Sequence, residues 1–492
     1  MASLDELRSG RLRKLESLRS QGINPYPIES HPSDQIQNVL GRFSKLKKRA
    51  KPITLVGRVR GVRAHGGSVF ADLDDGTGRI QLFFKRDIAG DQAFELFTGN
   101  VDIGDFIEVK GKLFLTKRKE KTLLANSWHM LVKSLRPLPD KWHGLENVEE
   151  RFRKRYLDTL QNEIVRERFI ARSTLITETR KYLDKAGYLE VETPILQSIY
   201  GGANAEAFTT IHNALDLTLY LRISDELYLK RLLIGGFPKV YEISKDFRNE
   251  GIDAVHNPEF TMLEFYAAWS DAKKSRVFVE KMMKTLARKV VGKLTFSHGG
   301  KAIDLSKKFR TTAFYDLLRR HALILSPEKA SREELMLKAE QLGVLVPQGA
   351  GREKVMDAIY KKVCRPKLIE PTFVIDYPVG YLPLAKRTEK NPDLVDAFQL
   401  VIGGIEIVKG YSELNDPLDQ LERMKKEETA KKSGDEETQP LDTDFIEALE
   451  YGMPPSGGVG IGLDRLAMLF TDAENIREVL FFPTLKPKGE KD

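Results

Sequence analysis

Hydrophobic and polar residues follow two different periods along the chain, and the changes of period outline its organisation. Leucines at positions 4, 7, 12, 15 and 18 recur at roughly helical spacing and predict an N-terminal helix. Residues 53–134 hold five short alternating stretches separated by glycine-containing turns, which predict a small five-stranded barrel. From residue 146 onward helical and strand patterns are mixed, which predicts a larger α+β domain. The predicted domains are therefore 1–145 and 146–492, with a junction near 136–150.

One face of the predicted barrel has side chains suited to nucleic acid. Alternation places Phe70, Gln81 and Phe83 outside, and Arg63 on the preceding segment adds positive charge. Five strands in this length are typical of an OB-type barrel, which commonly binds oligonucleotides. Stacking, base-edge hydrogen bonding and phosphate attraction together predict RNA binding, although a single exposed Phe is most often an ordinary surface residue. The residues predicted to point inward are Val69, Ala71, Leu73, Ile80, Leu82 and Phe84.

Composition narrows the class of protein. The 492 residues are 41% hydrophobic and 30% charged, which fits a globular protein, and no apolar run approaches a membrane span. The single cysteine, Cys364, excludes a disulfide framework and a thiolate zinc cluster. The first residues lack an apolar signal region, so a cytoplasmic protein is expected.

The net charge of the chain is +8, and its basic residues are concentrated at 8–19 and 45–51. A polyanion could bind there, or the charges could simply face solvent.

Residues 239–268 predict two strands joined by a charged loop. In an antiparallel pair, the period of two would place Arg248 near the end of one strand and Glu264 and Tyr266 on the same face of the next, together with Phe260. An arginine, a carboxylate, a phenol and an aromatic ring over one concave surface suit a charged, partly flat ligand, such as a nucleotide beside an amino acid. The alternative is a surface hairpin with a solvated polar face.

The stretch GGVGIGLDRLAMLF at 457–470 joins a glycine-rich strand to a helix. Gly458, Gly460 and Gly462 lie on one face of the predicted strand and leave it bare, so a base or sugar can approach the backbone. Asp464 then begins a helix with Arg465 in its first turn, where the helix dipole favours phosphate. The Asp-Arg pair makes this signal stronger than a glycine-rich run alone.

Three segments together resemble the three motifs of class II aminoacyl-tRNA synthetases: YLEVETPIL at 188–196, FRNEG with HNPEFTMLE within 247–264, and GIGLDR at 460–465. An OB barrel at the N-terminus resembles the subgroup that charges lysine, aspartate and asparagine. Within that subgroup, LPDKWHGL at 138–145, residues 212–237 and YSELND at 411–416 are similar to the bacterial lysyl-tRNA synthetases.

This resemblance implies the reaction, the fold and the partners. The fold is an OB-type barrel followed by an antiparallel sheet flanked by helices. The reaction activates lysine with ATP, with Mg²⁺ as cofactor, and transfers it to the 3′ end of tRNA(Lys). A homodimer is expected. The barrel residues Arg63, Phe70 and Gln81 would contact the tRNA anticodon.

The resemblance also implies the roles of individual residues. Arg248 and Arg465 would be catalytic, and Glu406 would hold Mg²⁺. The implied ATP-binding residues are Arg248, Glu250, His256, Asn257, Phe260, Glu406, Gly462 and Arg465. The implied lysine-binding residues are Gly202, Glu226, Glu264, Tyr266, Tyr411 and Glu413. Electrostatics agrees with lysine, because three glutamates, with no lysine or arginine added, suit a buried ammonium, whereas an aspartate-specific site needs the opposite charge.

Four positions depart from the family pattern. Gln399 stands where the family usually has a glutamate that helps to hold Mg²⁺, so one negative charge is lost there. Lys409 replaces an asparagine, and it could pair with the lysine carboxylate or mimic the substrate and block the site. Glu206 replaces an arginine and Leu382 a serine. An alternative is therefore a paralogue that acts as a nucleic-acid-binding or regulatory protein, or one specific for another amino acid.

Residues 272–365 show mostly helical patterning without recognisable chemistry. They predict a helical insertion in the second domain, with a scaffold role.

Overall fold

The computed structural model describes residues 3–139, 147–347, 349–432 and 439–488, without the side chains of 430–432. The chain divides into two compact units, Met1–Leu145 and Glu146–Asp492. The predicted junction and the LPDKWHGL stretch fall largely on residues 140–146, which lie outside the described residues.

The first unit is a closed five-stranded barrel with the strand order β1-β2-β3-β5-β4 and five accompanying helices. Its strands are β1 (Ile53–His65), β2 (Ser68–Asp74), β3 (Arg79–Lys85), β4 (Phe106–Leu115) and β5 (Lys121–Val132). Its helices are α1 (Leu4–Ser20), α2 (Ile36–Gly41), α3 (Phe43–Arg49), α4 (Arg86–Ala89) and α5 (Asp91–Asn100).

The barrel interior follows the alternation of the sequence. All six side chains predicted to face inward on β2 and β3 are at most 2% exposed, as the pleat of a strand requires. Helix α5 closes part of the barrel, because Phe97 packs edge-on against Trp128 and tilts against Phe84. The predicted OB-type barrel and N-terminal helix are thus confirmed.

The second unit contains thirteen strands and eleven helices in the described ranges. The strands are β6 (Leu189–Glu190), β7 (Leu196–Gln197), β8 (Thr209–His212), β9 (Leu217–Leu221), β10 (Lys239–Phe247), β11 (Glu259–Ala268), β12 (Thr295–His298), β13 (Lys301–Asp304), β14 (Arg310–Ala313), β15 (Thr372–Pro378), β16 (Leu394–Ile402), β17 (Ile405–Ser412) and β18 (Ser456–Gly462). The helices are α6 (Val148–Arg153), α7 (Arg155–Gln161), α8 (Glu163–Lys185), α9 (Glu226–Ile234), α10 (Ala272–Val290), α11 (Phe314–Leu317), α12 (Arg332–Gln341), α13 (Arg352–Ile359), α14 (Pro417–Lys432), α15 (Thr443–Glu450) and α16 (Leu463–Phe470). Short π- and 3₁₀-helical turns cover Leu318–Ala322, Tyr360–Cys364, Arg365–Lys367, Val379–Tyr381 and Ile476–Glu478.

A large sheet with the strand order β14-β15-β16-β17-β18-β11-β10-β6 organises this unit. The six central strands are antiparallel, and the two edge strands β14 and β6 pair in parallel with β15 and β10. The predicted antiparallel sheet is therefore correct for the centre, while the whole sheet is mixed. β16 and β17 form a hairpin through Gly403 and Gly404, whose φ angles of 65° and 85° suit a tight hairpin turn that glycine adopts at no steric cost.

The two faces of the sheet have different partners. Helices α8, α10 and α16 cover one face, where Tyr241, Leu263 and Phe265 lie in a large core. The opposite face carries the buried polar residues Glu242 and Glu264 and borders a second core with α9 and α11–α13. Because side chains alternate along a strand, β10 and β11 each turn an apolar face to the helices and a polar face to the other side of the sheet.

The predicted helical insertion at 272–365 is only partly helical. Helix α10 packs directly on β16, β17 and β18, so it is part of the helical layer that covers the large sheet and not part of an insertion. β12 and β13 form a separate two-stranded sheet, and β14 is an edge strand of the large sheet. These strands have four residues each, which is too short to show a clear alternation in sequence.

None of the helices in the described ranges combines the length and the apolar composition that a membrane span needs.

Candidate active site

A cavity of about 450 Å³ opens on the polar face of the large sheet. Its floor is made by β11, β17 and β18, and its walls come from the loop before β11, the start of α9 and the segment around α13. Thirteen of the fourteen predicted ATP- and lysine-binding residues line this cavity, and the fourteenth, Glu413, lies just behind its wall. The structure therefore brings together side chains that are up to 263 positions apart, from Gly202 to Arg465.

Two arginines mark one end of the cavity. The Arg248 guanidinium lies 5.0 Å from the ring centroid of Phe260, and its Nη2 donates a long hydrogen bond to the carbonyl of Ile223. Arg465 Nη2 lies 2.7 Å from His256 Nε2, and His256 Nδ1 in turn contacts Asp253 at 2.8 Å. Neither arginine forms an ion pair with a carboxylate in the described part of the chain, so both can bind an anion.

The start of α16 is fixed from behind. Asp464 accepts hydrogen bonds from the backbone N–H of Thr261 at 2.7 Å and from Arg172 Nη2 at 2.6 Å. Because its carboxylate is turned toward β11 and α8, Asp464 positions the strand-to-helix turn while Arg465 points into the cavity. The predicted phosphate-binding role of Asp-Arg thus divides into one supporting and one cavity-facing residue.

The glycines of β18 make room for neighbouring side chains. A Cβ at Gly458 would overlap Glu413 Oε1 and the ring of Tyr266, and one at Gly460 would meet the Met262 side chain at 2.9 Å. At Gly462 only the side chain of Arg465 would be near. The bare face predicted from sequence exists, but at Gly458 it accommodates the protein's own side chains and not a base.

Buried acids form the other end of the cavity. Glu226 accepts hydrogen bonds from the Tyr411 hydroxyl at 2.7 Å, and Glu264 accepts them from Tyr266 at 2.7 Å and Ser224 at 2.9 Å. Both glutamates are at most 5% exposed. A carboxylate held by hydroxyl donors in a buried site has strong affinity for a cation.

Sequence reasoning missed Lys230 in this cluster. Its Nζ lies 2.5 Å from both Glu226 Oε1 and Glu413 Oε2, and it is fully buried. The expectation of three glutamates without a lysine is therefore wrong, although the three acids still outnumber Lys230. The sequence could have indicated the pairing of Lys230 with Glu226, because the two residues are four positions apart and share one face of α9.

Two further buried acids, also missed, lie against Glu264. Asp225 and Asp246 are fully buried, and one carboxylate oxygen of each lies within 4.8 Å of Glu264. The nearest cation is Arg222, whose Nε is 3.4 Å from Asp246 and whose Nη1 is 2.7 Å from Glu242. One guanidinium cannot neutralise four carboxylates, so the cluster must share protons or bind a cation.

The pKa values of the cluster follow from this crowding. Burial, together with repulsion from Glu226 and Asp246, raises the pKa of Glu264 to about 8, and burial raises the pKa of Asp246 to about 6. Burial also raises the pKa of Glu413 to about 8, against the attraction of Lys230. Because these neighbouring carboxyl groups cannot all be ionised together, the cluster holds protons that a bound cation would release, and Glu264 is one of the groups that can release one.

The predicted metal position has one carboxylate. Glu406 lines the cavity, with Arg365 Nη1 3.9 Å from its Oε2. Gln399 lines it too, but its Oε1 already accepts a hydrogen bond from Tyr377 at 2.8 Å. Among the described residues, the one group of three or more candidate metal ligands excludes Glu406. Because Mg²⁺ in nucleotide sites needs one or two carboxylates plus phosphates, this wall fits a single ATP-bound Mg²⁺ at Glu406.

The remaining predicted residues differ in how they meet the cavity. Gly202 has a φ of 89° and donates its N–H to Gln439 Oε1 at 2.8 Å, and an added Cβ would lie 2.9 Å from Ser224 Oγ. Asn257 is buried and Glu250 exposed, and both line the wall. Leu382 lines it as well, whereas Glu206 is exposed and pairs with Asn249 outside it.

The predicted anticodon-binding residues lie on the outer face of the barrel. Phe70 stacks on Phe83 with ring centroids 4.5 Å apart, so its ring is half-buried and one side is open. Arg63 Nη2 is 3.3 Å from Asp72 Oδ1, and Gln81 accepts a hydrogen bond from Thr122 at 3.0 Å. The aromatic pair presents a stacking platform, and Gln81 keeps its amide N–H groups for a base edge.

Comparison with known proteins agrees with this architecture. Residues 147–486 match the family model of tRNA synthetases class II (D, K and N), and residues 53–131 match that of the OB-fold nucleic acid binding domain. The lysine–tRNA ligase of Carboxydothermus hydrogenoformans is 46% identical over 485 residues, which cover 99% of both chains. That of Pelotomaculum thermopropionicum is 46% identical over 99% of this chain and 96% of its own, and that of Methanoculleus marisnigri is 45% identical over 97% and 94%. The resemblance found in the three motifs is confirmed, and the chain belongs to the class II tRNA synthetases of the D, K and N group.

Proposed function

We propose that this protein is a lysine–tRNA ligase, which activates lysine with ATP and transfers it to the 3′ end of tRNA(Lys). The observation that carries the proposal is the excess of buried acid at one end of the cavity, whose other end holds two arginines that form no ion pair with any described carboxylate. Glu226, Glu264 and Glu413 outnumber Lys230, so this end of the cavity attracts a cationic amino acid and repels aspartate.

The first step needs positioning and charge neutralisation. A carboxylate oxygen of lysine attacks the α-phosphorus of ATP, the bond to the bridging oxygen breaks, and pyrophosphate leaves with the electron pair. The Arg248 guanidinium, over Phe260, binds the carboxylate and the α-phosphate, and Arg465 binds the γ-phosphate. No proton moves in this step, so no general base is required. In the second step a terminal ribose hydroxyl of the tRNA attacks the lysyl carbonyl carbon, the bond to the phosphate oxygen breaks, and AMP leaves together with the hydroxyl proton.

Glu406 is the residue that would hold Mg²⁺ together with the phosphates of ATP. When bound, the ion neutralises the negative charge that the phosphate oxygens bring into the cavity.

The barrel is the proposed binding site for the anticodon. Phe70→Ala is expected to raise the KM for tRNA(Lys) about tenfold or more, because one stacked base contributes about 1–3 kcal/mol. Steady-state aminoacylation measures this change, and ATP–pyrophosphate exchange without tRNA should stay normal. The matched control is Ile88→Ala, which removes an exposed apolar side chain of α4. An unchanged KM in Phe70→Ala would rule out this role for the ring.

Binding of lysine is expected to be linked to protons. The pKa of Glu264 is raised to about 8, and a bound ammonium stabilises its ionised form. Lysine affinity should therefore rise with pH up to about 8, by at most about tenfold per pH unit, with release of one proton. Calorimetry between pH 6 and 8 in buffers of different ionisation enthalpy measures both quantities. Glu264→Gln should lower the slope, and a flat profile in the unaltered protein would refute the linkage.

A homodimer in the cytoplasm is the proposed form of the enzyme. Between residues 189 and 217, several large apolar side chains are at least 42% exposed, which is typical of a surface that another chain covers. They are Leu189, Ile195, Leu196, Ile211, Leu215 and Leu217. Sedimentation velocity should give twice the mass of one chain.

The proposed function is tested by charging purified tRNA(Lys) with lysine and ATP. Lysylated tRNA should accumulate, while tRNA(Asp) and tRNA(Asn) with their own amino acids should remain uncharged. Absence of lysylation, with ATP and tRNA both bound, would favour the nucleic-acid-binding or regulatory paralogue.

A further inference from the structure

Lys409 places an ammonium group in the cavity without an internal partner. It lies on β17 and lines the cavity. In the described residues its Nζ forms neither an ion pair nor a hydrogen bond, although the nearby Lys230 forms two ion pairs. A partly buried ammonium with no partner is costly, so its place in a cavity indicates an anionic ligand.

The sheet register fixes where this ammonium stands. Lys409 is directly opposite Gln399 on β16 and opposite Gly460 on β18, and Gly460 is opposite Glu264 on β11. Gly460 adds no side chain between Lys409 and Glu264, and the end of the Met262 side chain lies over it. Along β17, Lys409 lies between Tyr411, which contacts Glu226 at the acidic end, and Glu406, whose carbonyl accepts a hydrogen bond from Arg465.

Lys409 does not occupy the acidic pocket. Glu226 and Glu413 are held by Lys230, and Glu226 is also held by Tyr411. Because Lys409 makes no ion pair with these acids in the described part of the chain, it does not mimic a lysine substrate. Of the two possibilities left open by the sequence, this contradicts a substrate mimic that blocks the site and leaves Lys409 free to pair with an anionic group.

The wall around Lys409 carries more positive than negative charge. Two of its carboxylates are held by neighbouring cations, Glu353 by Arg352 and Asp357 by Lys361. In the described lining this leaves Glu406 as the carboxylate available to a metal, and Gln399 is neutral. Arg365 lies 3.9 Å from Glu406, and Arg465 Nη1 donates to the Glu406 carbonyl at 3.3 Å. A wall of this kind attracts phosphate directly, and it offers ligands for at most one divalent ion.

We propose that the Lys409 ammonium is a built-in counter-ion for ATP, and that together with the neutral Gln399 it takes the place of a second Mg²⁺ at this wall. The proposal rests on the proposed function, because it assigns the anion at Lys409 as the polyphosphate of ATP beside the amino-acid carboxylate. It assigns a role in binding the nucleotide to a residue that is neutral in the family pattern. ATP should therefore bind together with one Mg²⁺.

Equilibrium binding of ATP tests this without any need for turnover. Calorimetry with the full-length protein is carried out at free Mg²⁺ concentrations low enough that ATP in solution is mostly metal-free. The logarithm of the ATP affinity should rise with the logarithm of free Mg²⁺ with a slope of about one. The double variant Gln399→Glu/Lys409→Asn should bind ATP at least about 30-fold more weakly at the lowest Mg²⁺ and show a slope of about two.

Two further variants separate charge from folding. Lys409→Arg keeps the charge and should keep the slope of about one. Lys362→Asn, the matched control, removes an exposed lysine that does not line the cavity and should change neither affinity nor slope. A slope of about two in the unaltered protein, or an unchanged ATP affinity in the double variant, would overturn the proposal. Normal ATP slopes without lysylation of tRNA would count against the proposed function alone.

Discussion

Arg248→Ala is expected to lower lysine-dependent ATP–pyrophosphate exchange by about a thousandfold or more while the protein remains folded. Arg248 lies in the cavity over Phe260, and within the described residues its side chain makes one long hydrogen bond, so little structure depends on the side chain. Its guanidinium is free to bind the two anions that must approach each other when lysine reacts with ATP. Without it, carboxylate and phosphate would repel each other at the point of attack.

The matched control for Arg248 is Arg288→Ala, which removes an exposed arginine of α10 outside the cavity. Exchange in this control should be normal, and thermal unfolding of both variants should match that of the unaltered protein. Exchange within a few-fold of normal in Arg248→Ala would remove the arginine from the reaction.

Gly458→Ala is expected to lower lysine affinity by about a hundredfold or more while ATP binding stays within about threefold of normal. The added methyl group would overlap Glu413 Oε1 and the Tyr266 ring, and neither can move away. Glu413 is 1% exposed and paired with Lys230, and Tyr266 is 3% exposed. The methyl group must therefore break the buried ion pair or displace the phenol at the acidic end.

Calorimetric titration with lysine and with ATP measures the two effects separately. Gly351→Ala is the matched control, because a Cβ at Gly351 has no other atom within 4 Å. Loss of ATP binding in Gly458→Ala to the same degree as lysine binding would show that the acidic end is not a separate amino-acid pocket.

Local alternation was sufficient to predict the barrel and the central strands. On β2 and β3 every second side chain is buried, and on β11 Glu264 and Tyr266 face the cavity as the period of two requires. The glycines of β18 were recognisable for the same reason, since three of them at spacing two leave one face bare. These features depend on neighbours in sequence, so the sequence alone reveals them.

Contacts between distant segments were beyond the reach of such patterns. In the sequence Lys230 looks like an ordinary helix residue. Its ion pair with Glu413, 183 positions away, exists only because the fold brings α9 to the residue that follows β17. Asp225 and Asp246 likewise meet only in the folded chain. The strands of 272–365 were missed for another reason, because four-residue segments carry too little periodicity.

The contacts of Lys230 and those of Asp225 and Asp246 change the electrostatic explanation of amino-acid specificity. Lys230 lowers the negative charge of the pocket, while Asp225 and Asp246 restore it from behind Glu264. The acidic end therefore keeps its preference for a cation, and part of that preference is linked to protons. Lys409, at the boundary of the pocket, is directed to the phosphates instead.

The amino-acid specificity of ATP–pyrophosphate exchange tests the central claim most directly. The unaltered protein is assayed with each of the twenty amino acids at equal concentration, with ATP, Mg²⁺ and labelled pyrophosphate. Lysine should support rapid exchange, and aspartate and asparagine should give no more than the background without amino acid. Exchange with aspartate or another amino acid in the absence of exchange with lysine would contradict the assignment of the acidic pocket to lysine.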